Sequence, residues 1–404
     1  MQRRDLFGLA GLAMAQSAMP AGDRDESYWR SLRKQFPLRE NLIYVNAANV
    51  CPASLPVLEQ HQKYLRDFEA DPSFQNRAKF GPLRETARGK AAKFLGVSAD
   101  EIAFTRNTSE ASNTIVHGLD LNPGDEVILV ADNHPSNSDS WKNQAERRKF
   151  TIVEVPVTQL ATGPEELIDK VSKAFTARTK VLAITHVTST TGVLYPAAEL
   201  AKVAKAKNVW FHLDGAQSAG MIQVDLRKID CDSYATSSHK WLMGPLEAGI
   251  LFVASQQQKR IWPSIVSVGY SGESTKGAAR FEAFGQRDDA RLAALSATID
   301  FLDTLGMAHV EARIRQLTAR LMSKLEGSSR VKLRTNRSSS LSAGVVKADL
   351  PSVDLRALDA KLYASQGMAF SVTAEGPLRG MRVSPHVYNS LEEMDRIAEA
   401  FLKA

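Results

Sequence analysis

"VWFHLDGAQSAG", residues 209–220, joins an apolar run to an abrupt polar end. From Val209 to Leu213 every residue except His212 is apolar, and Asp214 follows directly. A strand that is apolar on both of its faces is typical of a parallel sheet covered by helices on either side. The stretch therefore predicts a buried strand with Asp214 at its carboxyl end.

The same pattern recurs along the chain, with helical sequences between the apolar runs. We predict strands at 126–132 (EVILVAD), 180–187 (KVLAITHV), 233–238 (SYATSS) and 249–255 (GILFVAS), and a helix at 196–208 (PAAELAKVAKAKN). Strands that alternate with helices predict an α/β fold with a mostly parallel sheet. After about residue 290 the chain changes to long amphipathic helices and short strand-like pieces, which predicts a smaller α+β C-terminal domain. We expect an N-terminal segment at 21–55, the large sheet domain at 56–290 and the small domain at 291–404.

The composition excludes several classes of protein. With 404 residues, 44% of them hydrophobic and 24% charged, the chain is that of a globular protein with more than one lobe. Its net charge of +6 is dispersed, whereas a nucleic-acid-binding protein concentrates basic residues in a stripe. The two cysteines, Cys51 and Cys231, cannot form a disulfide framework or a metal-type cluster, and we expect both to be inert thiols.

The N-terminus predicts export. Arg3 and Arg4 precede an apolar stretch, 6–15, that is too short to span a membrane, and an Ala-x-Ala cleavage pattern lies at 13–15. This resembles a twin-arginine signal, so we expect residues 1–20 to direct a folded protein to the periplasm, without a stable membrane anchor. A frayed N-terminal helix on a cytoplasmic protein is the alternative.

Polar residues follow four of the predicted strands. Ligands of such sheets bind beyond the carboxyl ends of the strands. The segments expected to meet there are DNHPSN (132–137), THVTSTTG (185–192), DGAQSAG (214–220) and SSHK (237–240). Their convergence would build one site.

Asp214 and Lys240 in these segments suggest pyridoxal phosphate chemistry. The aldehyde of this cofactor forms a Schiff base with a lysine, and a carboxylate keeps its pyridine nitrogen protonated. Its phosphate needs a helix N-terminus with hydroxyl groups, which Thr108 and Ser109 offer after the strand-like "IAFT". Read alone, Asp214 is more typical of a helix N-cap than of a catalyst, and "NTSE" (107–110) is typical of a capping sequence.

Six motifs in order carry a family resemblance. They are FTRNTSEASN (104–113), NHPSN (133–137), HVTSTTG (186–192), HLDGAQS (212–218), SSHKW (237–241) and MRVSPHVYNS (381–390). From about residue 43 to the C-terminus, the chain resembles the class V aminotransferase family of fold-type-I pyridoxal phosphate enzymes. That family includes cysteine desulfurases and isopenicillin N epimerase-like proteins.

The resemblance implies roles residue by residue. Lys240 would be the Schiff-base lysine, Asp214 the partner of the pyridine nitrogen, and His134 the residue stacked on the ring. Gln217 and Ser189 would lie near the ring oxygen, and Arg382 would bind the α-carboxylate of the substrate. The phosphate would be held by Thr108, Ser109, Ser237 and His239. Gln286 would reach the cofactor phosphate of a second subunit, which implies a homodimer with shared active sites.

The reaction is less determined than the cofactor. Desulfurases carry a nucleophilic cysteine ahead of the substrate arginine, whereas the corresponding segment here, 371–380, has none. We expect an enzyme that acts at Cα of an amino acid or amino-acid-containing metabolite, by amino-group removal or epimerisation. A lyase that eliminates at the β or γ carbon and a non-catalytic binding protein on the same fold remain open. So does a metal hydrolase that uses His212 and Asp214 with His186 or His239.

Overall fold

The computed structural model describes residues 24–156, 158–268, 270 and 276–404. The strands of this part are β1 (Ile43–Tyr44), β2 (Ile102–Thr105), β3 (Glu126–Val130), β4 (Thr151–Val155), β5 (Thr179–Thr185), β6 (Trp210–Asp214), β7 (Ser233–Ser237), β8 (Gly249–Val253), β9 (Lys332–Leu333), β10 (Val346–Asp349), β11 (Met368–Ala369), β12 (Ser371–Thr373) and β13 (Gly380–Val383). Its α-helices are α1 (Glu26–Arg33), α2 (Leu55–Ala70), α3 (Phe74–Arg77), α4 (Phe80–Leu95), α5 (Thr108–Gly118), α6 (Pro135–Arg148), α7 (Pro164–Lys173), α8 (Ala197–Ala206), α9 (Leu226–Ile229), α10 (Asp289–Leu305), α11 (Met307–Leu325), α12 (Leu355–Gln366) and α13 (Leu391–Lys403).

The large sheet contains seven strands in the order β2-β8-β7-β6-β5-β3-β4. The pairs β3–β4, β3–β5, β5–β6 and β6–β7 are parallel, whereas β8 is antiparallel to both β2 and β7. The expected α/β class with a mostly parallel sheet is therefore confirmed. Strands β3, β6, β7 and β8 are buried along their whole length, as apolar runs between two helical layers require.

The C-terminal region contains an antiparallel sheet in the order β12-β13-β10-β9, as the expected α+β character requires. Its apolar residues, Val346 and Ala348 on β10 and Met381 and Val383 on β13, join a core with helices α11, α12 and α13. The opposite face carries polar residues, among them Lys347 and Arg382.

The N-terminal residues connect the two regions. Strand β1 pairs with β11 in parallel register, and the Asn46–Ser384 bridge continues that pairing. Helix α10 packs against α2 and α4, so the domain boundary near residue 290 stays a prediction. The expected export signal at 1–20 lies outside the described residues. Within them, no helix combines the length and apolar character needed to cross a membrane.

Candidate active site

Asp214 ends β6 in the middle of the large sheet. Its side chain is 2% exposed, and its Oδ1 accepts a hydrogen bond of 2.9 Å from the amide of Ala216. Burial raises the pKa of this carboxyl group, while the amide of Ala216, the ammonium of Lys240 and the ring of His134 oppose the rise. A buried carboxylate of this kind is stabilised by a cationic partner, which a protonated ring nitrogen would supply.

Lys240 follows β7, the strand next to β6, as the sequence predicted. Burial lowers the pKa of its ammonium, Asp214 partly restores it, and the nearby Arg382 lowers it further. The three groups therefore lie close enough to act on one another electrostatically. A lysine whose pKa is lowered more readily exists as the neutral amine, the form that serves as nucleophile and base.

His134 forms the N-cap of α6, and its side chain is exposed. Its Nδ1 accepts a hydrogen bond of 3.2 Å from the amide of Ser136. Desolvation and then the Lys240 ammonium lower the pKa of the imidazole, so the ring is neutral near pH 7. Asn133 fixes the preceding loop, since it accepts from the amide of Thr185 at 2.8 Å and donates to Ala183 at 2.9 Å. A neutral ring on an anchored loop suits a stacking role.

Gln217 is held by two hydrogen bonds. Its Nε2 donates to the carbonyl of Ala48 at 3.0 Å, and its Oε1 accepts from the indole Nε1 of Trp241 at 2.7 Å. Trp241 is fully buried, and its indole also orients Gln217. Because an indole N–H can only donate, the amide nitrogen of Gln217 must point the other way. Its second N–H is the group available for a ring oxygen.

Thr108 and Ser237 meet at the N-terminus of α5. The amide of Thr108 donates to Ser237 Oγ at 2.7 Å, and the two side-chain hydroxyls are 2.6 Å apart. Ser109 lies in the same first helical turn. Gly249 lies opposite Ser237, and a Cβ there would stand 2.7 Å from the amide nitrogen of Asn107. The glycine thus lets the helix N-terminus approach the end of β7.

His239 completes this end of the site. Its Nδ1 is buried and lacks a hydrogen-bond partner among the described residues, while its backbone carbonyl accepts from the amide of Cys51 at 2.7 Å. Burial, with Lys240 adding to it, lowers the pKa of the imidazole to about 4. A neutral histidine with an unpaired ring nitrogen, two hydroxyl groups and a helix N-terminus form a donor set that fits a phosphate. The residues present therefore fit pyridoxal phosphate.

Arg382 lies on β13 and forms hydrogen bonds with residues from two other parts of the chain. Its Nη1 donates to the backbone carbonyl of Ser189 at 2.8 Å, and its Nη2 to Oδ1 of Asn46 at 2.8 Å. Burial lowers its pKa to about 10, so it remains a cation. Asn46 belongs to the site as Arg382's partner, a role that sequence reasoning missed. The signal available was its place in "IYVNAAN" (43–49), at the start of the family resemblance.

Neither Gln286 nor the two cysteine thiols form any of the site contacts described above. The side-chain oxygen of Gln286 accepts from Arg77 Nη2 at 2.7 Å on the surface, so reaching a partner's phosphate stays a prediction. Cys51 is buried beside Tyr388, and burial raises the pKa of its thiol to about 12. Burial likewise raises the pKa of the Cys231 thiol well above its usual range. Neither thiol is available as a nucleophile.

One histidine of the metal-hydrolase alternative, His212, is fully hydrogen-bonded to other side chains. His212 bonds Ser233 through Nδ1 at 2.9 Å and Ser112 through Nε2 at 3.1 Å, so both ring nitrogens are occupied. His186 is buried, and burial lowers its pKa to about 4. Across the described ranges, no three His, Cys, Asp or Glu residues cluster as metal ligands would.

Comparisons with known proteins identify the family and the fold. Residues 43–397 match the family model described as Aminotransferase class-V. Isopenicillin N epimerase of Streptomyces clavuligerus is 30% identical, over 92% of this chain and 97% of its own length. The enzyme of the same name from Amycolatopsis lactamdurans is 31% identical over the same shares. A crystal structure of a cysteine desulfurase from Escherichia coli superposes with a TM-score of 0.81 at 23% identity, covering 92% of this chain and 97% of that one, and supports the fold.

The match to the family model covers most of the chain, and the two epimerases extend along nearly all of it. The site residues expected from the resemblance at Asp214, Gln217, Ser237, His239, Lys240 and Arg382 lie together at the carboxyl edge of the sheet and the adjoining C-terminal sheet. The chain belongs to the class V aminotransferases, a family of pyridoxal phosphate-dependent enzymes.

Proposed function

We propose that this enzyme acts at Cα of an amino acid or an amino-acid-containing metabolite, by amino-group removal or by epimerisation. The observation that carries the proposal is that Lys240, Asp214 and Arg382 lie close enough to interact electrostatically, with Asp214 buried. In the proposal, these residues would serve as a base, a ring-nitrogen partner and a carboxylate-binding cation around one position. An α-amino acid presents the amine and carboxylate that such a site would bind.

Each residue has a separate task in this proposal. Bound pyridoxal phosphate withdraws electrons from Cα, which makes its proton removable. Lys240 would hold the cofactor covalently and, once released, move the Cα proton with Nζ. Arg382 would fix the α-carboxylate, and His134 would cover the ring and keep water from it. Asp214 would hold the proton on the ring nitrogen.

Two observations favour Cα chemistry over sulfur transfer. Two relatives that cover 92% of the chain at 30% and 31% identity are epimerases by name, whereas probable cysteine desulfurases with similar coverage are 27–28% identical. The two thiols of the sequence, Cys51 and Cys231, are both buried with raised pKa values. Desulfurases of the family need an accessible thiolate, and the segment 371–380 has no cysteine to provide one.

The test is a titration of purified holoenzyme with amino acids of both hands in D₂O, followed by cofactor absorbance and by NMR. A lasting shift to the amine form of the cofactor without added keto acid indicates amino-group removal. Deuterium at Cα with inversion and no net loss of amino acid indicates epimerisation. Loss of a β or γ substituent would move the assignment to the lyases. The proposal fails if neither hand of any amino acid, free or in a peptide, changes the spectrum.

We further propose a homodimer formed through the segment 262–268. Trp262 is 63% exposed, Val266 60% and Val268 93%, and Ile265 is partly exposed beside them. A patch of this kind is uncommon on a monomer, and Gln286 would point toward a second copy bound there. Sedimentation should give a dimer for the wild type and a monomer for Val266→Asp. A wild-type monomer at micromolar concentration would contradict the proposal.

Export through the twin-arginine route is the third part of the proposal. It would suit an enzyme that must fold around its cofactor before crossing the membrane. Replacing Arg3 and Arg4 by lysine should retain the protein in the cytoplasm, whereas Arg24→Lys should leave its distribution unchanged. Equal periplasmic amounts of the double variant and the wild type would refute the route.

A further inference from the structure

Lys347 lies directly opposite Arg382 in the C-terminal sheet. The two residues are paired in the antiparallel register of β10 and β13. Side chains directly opposite each other point to the same face of a sheet, with Cβ atoms about 5 Å apart. Because Arg382 reaches Ser189 and Asn46 from this face, Lys347 shares the side of the sheet that closes the substrate end of the site.

The ammonium of Lys347 is buried with a single neutral partner. The residue is 1% exposed, and Nζ donates to Thr373 Oγ1 at 2.7 Å. Gly380 leaves room for the side chain, since a Cβ there would lie 3.1 Å from Lys347 Cε. An ammonium has three N–H donors, and Thr373 is its one side-chain hydrogen-bond acceptor in the described part of the chain. A buried lysine with so few acceptors requires an explanation.

The nearby carboxylate of Asp349 already pairs with two arginines. Asp349, two residues along β10, bonds Arg334 at 2.9 Å and also pairs with Arg379. Arg382 itself bonds only uncharged oxygens through Nη1 and Nη2. Lys347 is therefore a buried cation and Arg382 a half-buried one, and neither makes a salt bridge within the described residues.

The Lys347–Arg382 pair is electrostatically unfavourable because its two positive charges repel each other. Burial, and then the neighbouring Arg382, lowers the pKa of Lys347 to about 8, while Asp349 acts in the opposite direction. Two like charges that are desolvated together become favourable when an anion binds between or beside them. In the proposed function, the α-carboxylate of the substrate compensates the charge of Arg382. The positive charge of Lys347 still lacks a compensating anion.

We propose that Lys347 binds a second anionic group of the substrate. The substrate class is then an amino acid, or a compound containing one, with a carboxylate or similar anion in addition to its α-carboxylate. This inference rests on the proposed function, because it takes Arg382 as the α-carboxylate ligand. It makes Lys347 a specificity-determining residue, and Thr373 and Gly380 position it.

The test uses dicarboxylates without an amino group, which can occupy the anion sites but cannot react. Malonate, succinate, glutarate and adipate are titrated into holoenzyme by calorimetry, with butyrate as the monocarboxylate. At least one dicarboxylate should bind about tenfold or more tightly than butyrate, the gain expected from one added charged hydrogen bond. Lys347→Met should remove this preference and leave butyrate binding unchanged, whereas Lys347→Arg should retain much of it.

Lys332→Met is the matched control, since it removes an exposed lysine from the adjacent strand of the same sheet. It should keep the preference, and thermal unfolding and cofactor content should show that Lys347→Met is folded. If Lys347→Met weakens butyrate and dicarboxylates equally, both cations serve one carboxylate and the proposal is overturned. It is equally overturned if no dicarboxylate is preferred, or if the preference survives in Lys347→Met.

A second titration separates this inference from the proposed function. Glutamate and glutamine of both hands are added while cofactor absorbance is followed. Amino acids that change the spectrum without a preference for glutamate or another acidic side chain would contradict the role of Lys347 alone. A Lys347-dependent dicarboxylate preference in an enzyme whose cofactor responds to no amino acid would contradict the proposed function instead.

Discussion

Trp241 donates its indole N–H to the side-chain oxygen of Gln217 over 2.7 Å, and both side chains are buried. The bond sets which end of the Gln217 amide faces the site, since the oxygen is taken by the indole. His386 stacks near the indole with ring centroids 5.4 Å apart and bonds the Trp241 carbonyl through Nε2 at 3.0 Å. Trp241 thus fixes the orientation of the amide that we expect to face the ring oxygen of the cofactor.

Trp241→Phe should change the cofactor environment more than it changes the fold. Without the indole, the Gln217 amide can turn over and present its oxygen, so we expect about tenfold weaker cofactor binding and a shifted absorbance maximum. Trp210→Phe is the matched control, because Trp210 is also buried and donates its indole N–H, at 3.0 Å, to Ser233. Similar losses of thermal stability but a spectral shift in Trp241→Phe alone would support the role. The same spectrum in all three proteins would exclude it.

Lys240→Ala should fold but turn over no substrate. The amine that would hold the cofactor is lost, so borohydride reduction should no longer attach cofactor to the chain. Lys259→Ala is the control, since Lys259 is exposed on the surface and its removal should leave labelling intact. Mass spectrometry of the reduced proteins measures the outcome. Retained labelling of Lys240→Ala would place the covalent attachment on another lysine.

Arg382→Ala should raise KM by about 100-fold while the cofactor stays bound, because a buried cation that pairs with a carboxylate contributes several kcal/mol. Arg382→Lys should recover only part of the loss, since an ammonium cannot bind both carboxylate oxygens as a planar guanidinium does. Arg320→Ala, which removes an arginine of an exposed pair with Asp395, should leave KM unchanged. Steady-state kinetics on an accepted amino acid decide the point. An unchanged KM in Arg382→Ala would end its assignment to the carboxylate.

The central strands and their polar ends could be predicted because their signals are local. Buried parallel strands read as continuous apolar runs, and the carboxyl ends of such strands meet at one edge. Asp214 and Lys240, which are 26 residues apart, could therefore be paired from the sequence. The same local signals are ambiguous elsewhere. The run at β8 reads like a parallel strand, yet β8 is antiparallel to both of its neighbours.

Features that depend on pairing between strands far apart in the sequence could not be predicted from it. The edge strand β4 is half exposed along "TIVEV" and lacks the apolar signal of the centre. Asn46 enters the site because β1 pairs with β11, more than 300 residues away in sequence. Lys347 sits in "VVKAD" (345–349), where a strand lysine is normally solvent-exposed. Its burial depends on the register with β13, which no local pattern encodes.

Asp132→Asn should stabilise the protein above pH 6. Asp132 is 4% exposed; its Oδ1 accepts from the Tyr195 hydroxyl at 3.2 Å, and its buried Oδ2 has no partner among the described residues. Burial raises the pKa of this carboxyl to about 6, from a usual value of 3.8. The protonated carboxyl therefore favours the folded state fully below pH 3.8, and that contribution is lost as the pH rises through about 6.

Asparagine does not titrate, so the variant avoids the cost of a buried carboxylate. At pH 8 the gain should be about 1–3 kcal/mol, the upper value corresponding to about two pKa units. Below pH 4 the gain should vanish, or reverse slightly, because the amide N–H₂ is itself desolvated. Denaturant unfolding of both proteins between pH 4 and 8 measures the difference. A gain that stays constant across this range would mean that Asp132 is ionised in the folded state throughout, and would contradict the raised pKa.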